Sequence, residues 1–418
     1  MKSILLLLMS LVTMHCFFFC TTTKKTSKVT GDMNPSKVLP GIDILLKQNL
    51  NLIADRRLGL ITNATGVTSE LTSTVDALFQ NKSAHLIALF GPEHGVRGDI
   101  PAGKRVENYT DGRTGLIVHS LYGKTRKPTP EMLEGIDILI YDIQDIGSRA
   151  YTYIYTMAYA MAAAREHNLK FIVLDRPNPL GGIRVEGNVL DPKFSSFVGL
   201  YPIPLIYGMT VGELAGFFNT EFMIGCDLVV VPMQGWRRDM IFDDTGLTWI
   251  PTSPHVPRSE TAFFIAATGY MGELDTISEG VGYLMPFELA GAPWIDSEKF
   301  AAELNSRKLP GVYFRPTYYQ PFYAKFEKQQ VGGVQLLILD HTAFSPSQAQ
   351  IHILTAIKKL YPEQDIFDTP RTGMFDKVFG TDQIRKMIAS GYPAEEIIQN
   401  WQPELEKFKK KREAYLIY

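Results

Sequence analysis

Short, almost wholly apolar runs recur along the chain, each closed by polar residues. They are Leu58-Gly-Leu-Ile-Thr-Asn63, His85 to Phe90, Leu116 to His119, Ile136 to Tyr141, Phe171 to Leu174 and Leu228 to Val231. Strands of this kind belong to a parallel sheet covered on both faces, because a strand with one wet face alternates apolar and polar positions. Between them, Leu71 to Gln80, Tyr151 to Glu166 and Val211 to Met223 read as helices. The alternation predicts an α/β fold, a doubly wound and mainly parallel sheet over residues 40–260. The pattern changes after Pro251-Thr-Ser-Pro-His-Val-Pro257, where prolines stop helix and ladder alike. Helices are expected near Ser297 to Ser306, Ser347 to Leu360 and Ile384 to Ile388, with extended segments at Gly311 to Tyr318 and Val334 to Leu339. These describe a smaller α+β domain over 261–418 that completes a cleft with the first.

The N-terminus has a different character. Lys2 and the apolar stretch Ile4 to Val12 form the charged and apolar regions of a secretory signal, and the chain turns polar after Cys20. Residues 1–20 are expected to be a signal peptide of lipoprotein type and 21–39 a Thr-, Ser- and Lys-rich tether. The protein is then exported to the periplasm or cell envelope and touches membrane only through a lipid anchor at Cys20; export without an anchor is the alternative. The apolar run falls short of the roughly 20 residues that a spanning helix needs. Beyond Cys20 only Cys226 remains, so no intramolecular disulfide can form, and its place in an apolar run predicts a buried, inert thiol.

Composition narrows the function. Over 418 residues, 45% hydrophobic and 21% charged side chains suit a large globular core. With 42 basic and 44 acidic residues the balance is 42 − 44 = −2, which leaves no excess of cations for a nucleic-acid backbone. Phosphate-binding P-loop, dinucleotide Gly-x-Gly-x-x-Gly and serine-hydrolase elbow motifs are all missing. No cofactor and no metal is expected, since zinc-type His-Glu-x-x-His spacing is absent.

Open parallel sheets bind ligands outside the carboxyl ends of their strands. The ends here are Asn63, then Gly91-Pro-Glu-His-Gly95, then Asp142-Ile-Gln-Asp-Ile-Gly-Ser-Arg149, then Asp175-Arg-Pro-Asn-Pro179. Each junction alone could be a helix cap or turn; four together mark a site. Glu93 and His94, held in a tight Gly-Pro turn, are the sharpest pair, and a partly buried carboxyl there can protonate a departing glycosidic oxygen. Glu279, beside Gly280 and Gly282, is a further catalytic candidate. Asn63, Asp142, Gln144, Asp145, Arg149, Tyr151, Asp175, Arg176, Asn178 and Glu288 are candidate substrate-binding residues, and Trp294 a candidate platform for a sugar ring. Arg149 and Arg176 have the shape to grip a carboxylate.

The strings Gly91-Pro-Glu-His-Gly95, Asp142 to Arg149 with Tyr151-Thr-Tyr153, Asp175-Arg-Pro-Asn-Pro179 and Pro286-Phe-Glu-Leu-Ala-Gly-Ala-Pro-Trp294 resemble those of the NamZ-like exo-β-N-acetylmuramidases over about residues 40–418. The resemblance implies a Rossmann-like first domain in a glycoside hydrolase that releases N-acetylmuramic acid from the non-reducing end of peptidoglycan fragments, such as muropeptides or disaccharides, with Glu93 as the leading catalytic residue. The chain departs from that family at Gly280-Val-Gly-Tyr283, where Val281 replaces an arginine suited to the sugar's lactyl carboxylate. The sugar's 2-acetamido group or a second carboxylate could serve as nucleophile. Two other classes share the two-domain cleft: a non-catalytic periplasmic muropeptide-binding protein and a metal-dependent cell-wall amidase or esterase.

Overall fold

A mainly parallel sheet of seven strands organises the first half of the chain. The computed structural model describes residues 37–98 and 107–418, so the expected signal, most of the tether and the Cys20 anchor lie outside the described residues. In chain order the strands are β1 (Arg57–Thr62), β2 (His85–Gly91), β3 (Tyr109–Thr110), β4 (Ile117–Ser120), β5 (Ile138–Asp142) and β6 (Lys170–Leu174). An antiparallel pair, β7 (Glu186–Val189) and β8 (Pro204–Ile206), precedes the seventh, β9 (Asp227–Val231). Across the sheet they run β3-β4-β2-β1-β5-β6-β9, with β3 antiparallel to β4. The chain moves outward from β1 through β2 to β4, then returns to β5 on the other side of β1, so the loops after β1 and β5 flank a topological switch point.

The apolar strands have the two-sided burial that their sequence predicted. Ile138 and Ile140 join a core with Leu58, Leu60 and Leu89 on one face, where the helix Gly41–Gln48 adds Ile42 and Leu45. Leu139 and Tyr141 join Ile61, Phe90 and Phe171 on the other, beneath the helix Tyr153–Glu166. Each such residue contributes about 1.5–3 kcal/mol by burial. Cys226 is buried as expected, and desolvation pushes its thiol up to about 11, which keeps it protonated and inert.

In the second half, β10 (Leu289–Ala292), β11 (Val312–Tyr319) and β12 (Val331–Ile338) form an antiparallel sheet in the order β10-β12-β11. The helices Ser297–Ser306 and Pro346–Leu360 lie where their spacing placed them. The second core face continues from Tyr153 and Phe171 into Phe300, Leu336 and Ile353, and Ser36–Tyr418 is one compact unit. The chain end returns to the first sheet, where the Tyr418 hydroxyl donates to Asp175 at 2.7 Å. The first predicted helix begins at Thr74 rather than Leu71, because Leu71 has φ +65°, outside any helix.

Candidate active site

Glu93 and His94 stand in the turn after β2, closed by a 3.1 Å bond from Gly95 N–H to the Pro92 carbonyl. His94 takes φ +75°, a left-handed conformation that costs a non-glycine residue about 1–3 kcal/mol. The turn holds Glu93 half-buried, and the Tyr122 phenol, just beyond β4, stands near enough for the two groups to influence one another. Burial first, and the Glu93 charge second, push the Tyr122 phenol up, so it remains a neutral donor.

Tyr151 and Tyr153 close the floor. Their rings meet edge to face at 5.0 Å, and their hydroxyls donate to Thr252 Oγ1 and the Thr252 carbonyl at 2.7 Å each. Asn63, at the end of β1, lies near the Tyr153 hydroxyl and accepts from the Thr65 N–H at 2.9 Å. Burial raises both phenols, and the Glu93 charge reaches each of them. On the other side, burial first and the neighbouring His94 second lower the pKa of His255. A neutral His255 pairs through Nε2 with the Tyr323 hydroxyl at 2.9 Å. Gly282 is what lets that loop approach: at φ +94° a Cβ there would sit 2.0 Å from the Tyr323 carbonyl oxygen. Tyr283 stacks on Phe322 at 5.6 Å, and Phe322 and Tyr323 are 63% and 50% exposed, an aromatic shelf beside the two histidines.

Other expected site residues build the scaffold beneath. Asp142 is wholly buried, and Arg176 grips it with Nε at 2.6 Å and Nη2 at 2.9 Å while also donating to the Val67 carbonyl. Asp175 accepts from Thr210, from the Gly212 N–H and from Tyr418, and burial pushes its carboxyl up to about 6. Asn178 ties Met209 to Leu180, and Gln144 donates to the carbonyls of Asp145 and Pro177. Asp145 is buried as well. One oxygen accepts from Tyr207 and from the Gly147 N–H, the other has no partner among the described residues, and burial pushes the group up to about 6.

Arg149 requires a correction. It is fully buried, and its guanidinium donates to the carbonyls of Asn188, Ile203, Val378 and Phe379 at 2.6–3.1 Å. A guanidinium so engaged cannot grip a substrate carboxylate. Arg176, locked on Asp142, is likewise committed within the protein.

Glu279 is buried and paired with Lys325 at 2.8 Å; desolvation, its largest influence, raises its pKa. It joins the first group only through its loop, since Lys325 follows Tyr323 by two residues. Glu288 is held by Arg258, with Gln335 at 3.4 Å. Trp294 is half-buried against the core, where its ring meets that of Tyr361 edge to face at 5.2 Å.

The structure thus gathers Glu93, His94, Asn63 and Tyr151 in one place and adds Tyr122, Tyr153, His255 and Tyr323. The strand-end rule applied to the Leu116–His119 run would have found Tyr122. His255 was hidden in the proline-rich stretch read as a boundary. Among the described residues no group of three His, Cys, Asp or Glu side chains is placed to hold a metal ion, and no helix is long and apolar enough to cross a membrane.

Comparison with known proteins follows the same lines. The family described as exo-beta-N-acetylmuramidase NamZ, N-terminal, matches residues 58–260, and its C-terminal counterpart matches 265–418. The chain is 51% identical over 382 residues to the peptidoglycan beta-N-acetylmuramidase NamZ of Bacillus subtilis (strain 168), covering 91% of this chain and 92% of that one. Two crystal structures of DUF1343 family proteins from Bacteroides fragilis are also similar. One has a TM-score of 0.87 at 46% identity, covering 91% of this chain and 99% of its own. The other has a TM-score of 0.75 at 29% identity, covering 92% and 99%. With a glutamate–histidine turn at the mouth of a switch-point sheet and both halves matched in order, the chain belongs to the NamZ exo-β-N-acetylmuramidase family.

Proposed function

We propose that this protein is an exo-acting glycosidase that removes terminal N-acetylmuramic acid from the non-reducing end of peptidoglycan fragments, with Glu93 as general acid. The observation that carries the assignment of roles is the half-buried turn that holds Glu93, with the Tyr122 phenol near its carboxyl. The surrounding phenols exclude bulk water, which strengthens the field at the scissile bond. Glu93 gives its proton to the glycosidic oxygen as the bond to the anomeric carbon breaks. Water then supplies hydroxide to that carbon, and its remaining proton restores Glu93.

The exposed pair Phe322 and Tyr323 offers apolar faces to the leaving sugar. Such a substrate lies in the cell envelope, which agrees with export directed by the Lys2–Cys20 segment; a lipid anchor at Cys20 belongs to the same proposal. The experiment is hydrolysis of p-nitrophenyl β-N-acetylmuramide beside the corresponding N-acetylglucosaminide. The muramide is expected to be turned over at least about tenfold faster at low concentration, the worth of one well-made charged contact. Equal rates would contradict the proposal.

A further inference from the structure

With Arg149 and Arg176 committed inside the protein, the site needs another cation for an acidic sugar. Four residues after Tyr122 stands Arg126. Its guanidinium carbon lies over the Phe197 ring, 3.8 Å from the centroid, and Phe197 in turn stacks on Tyr159 at 6.2 Å with the planes 17° apart. Packing on a ring restrains an exposed arginine, which lowers the entropy lost when its N–H groups grip a planar anion.

The surroundings do not neutralise it. The adjacent Lys127 is paired with Glu166 at 2.5 Å, whereas among the described residues Arg126 meets no carboxylate within ion-pair distance. Its charge nevertheless reaches the Tyr122 hydroxyl, the group near Glu93. A ring-packed guanidinium with no ion-pair partner among the described residues therefore stands within electrostatic reach of the phenol beside the acid.

We infer that Arg126 is the specificity-determining residue of this site and reads the lactyl carboxylate of the terminal sugar through a bidentate contact. The inference rests on the muramidase reading and adds the group that separates muramic acid from glucosamine. Lys124, on the same loop, lines a separate cavity with Ser120 and Asn108 and serves as the control.

The test measures kcat and KM for wild type, Arg126→Gln, Arg126→Lys and Lys124→Gln on the p-nitrophenyl muramide and glucosaminide. Arg126→Gln is expected to raise KM for the muramide by roughly 10- to 100-fold with kcat little changed, and to leave the glucosaminide unaffected. Arg126→Lys should recover part of the loss, because it keeps the charge without the fork. Calorimetric titration with free N-acetylmuramic acid and N-acetylglucosamine gives the same comparison without turnover. If wild type hydrolyses neither glycoside, the muramidase reading fails while the titration still reports on Arg126. Equal losses on both sugars, no loss at all, or the loss appearing in Lys124→Gln instead would overturn the inference.

Discussion

Glu93→Gln is expected to lose about 10²–10⁴-fold in kcat/KM on a natural disaccharide and far less on an aryl muramide. The substitution keeps the side chain's shape but replaces the transferable proton with an amide. A sugar alkoxide is a poor leaving group and needs that proton in the transition state; a nitrophenolate leaves almost unaided. The split between the two substrates therefore isolates proton donation from binding. Equal losses on both would assign Glu93 to orienting the substrate. Unchanged activity would move the acid elsewhere, and Glu279 and Glu288 would each first have to break an ion pair, with Lys325 and Arg258 respectively. Steady-state kinetics on the two substrates decides among these outcomes.

Arg149→Met is expected to cost on the order of 4 kcal/mol of stability or to prevent folding, since several buried carbonyls lose their donor at about 1–3 kcal/mol each. Those carbonyls come from β7, from the approach to β8 and from the end of the helix Thr372–Phe379. The last two acceptors sit at a helix C-terminus, where the backbone dipole favours a cation. Arg149 thus joins the strand pair of the first half to a helix of the second, and no carboxylate is needed to hold its charge. Gly380 completes the arrangement: at φ +68°, a Cβ there would press on the guanidinium at 3.0 Å. Arg149→Lys keeps a charge but reaches fewer carbonyls, so an intermediate loss is expected. Chemical denaturation measures all three proteins. A variant that kept full stability and lost only affinity for muramides would return Arg149 to the substrate site.

That reassignment shows what the amino-acid pattern can and cannot convey. The central strands were legible because Ile138 to Tyr141 and Phe171 to Leu174 are apolar at every position, a mark of burial on both faces. Strand β10, Leu-Ala-Gly-Ala, carries small residues of low strand propensity and gains its place from pairing with β12. The same is true of the β7 and β8 pair, each only three or four residues long. The helix Gly41–Gln48 went unread because its core contacts are long-range.

Among site residues, Glu93 and His94 were legible from their turn. The direction of a polar side chain at a strand end was not. Asp142 and Asp175 look alike in sequence to groups that face a ligand, yet they face Arg176, Thr210 and the chain's last tyrosine. Partners 34 to 243 residues away decide that, and local pattern carries no trace of them. The same limit hid His255 and Tyr323, which meet only because two loops 68 residues apart close on one another.

The most direct measurement is the order in which products appear from a defined, peptide-free glycan of alternating N-acetylglucosamine and N-acetylmuramic acid that carries the muramic residue at its non-reducing end. Chromatography with mass detection over the first few per cent of reaction is expected to show free N-acetylmuramic acid and a chain shortened by one sugar. Fragments cut within the chain, or N-acetylglucosamine released first, would contradict it.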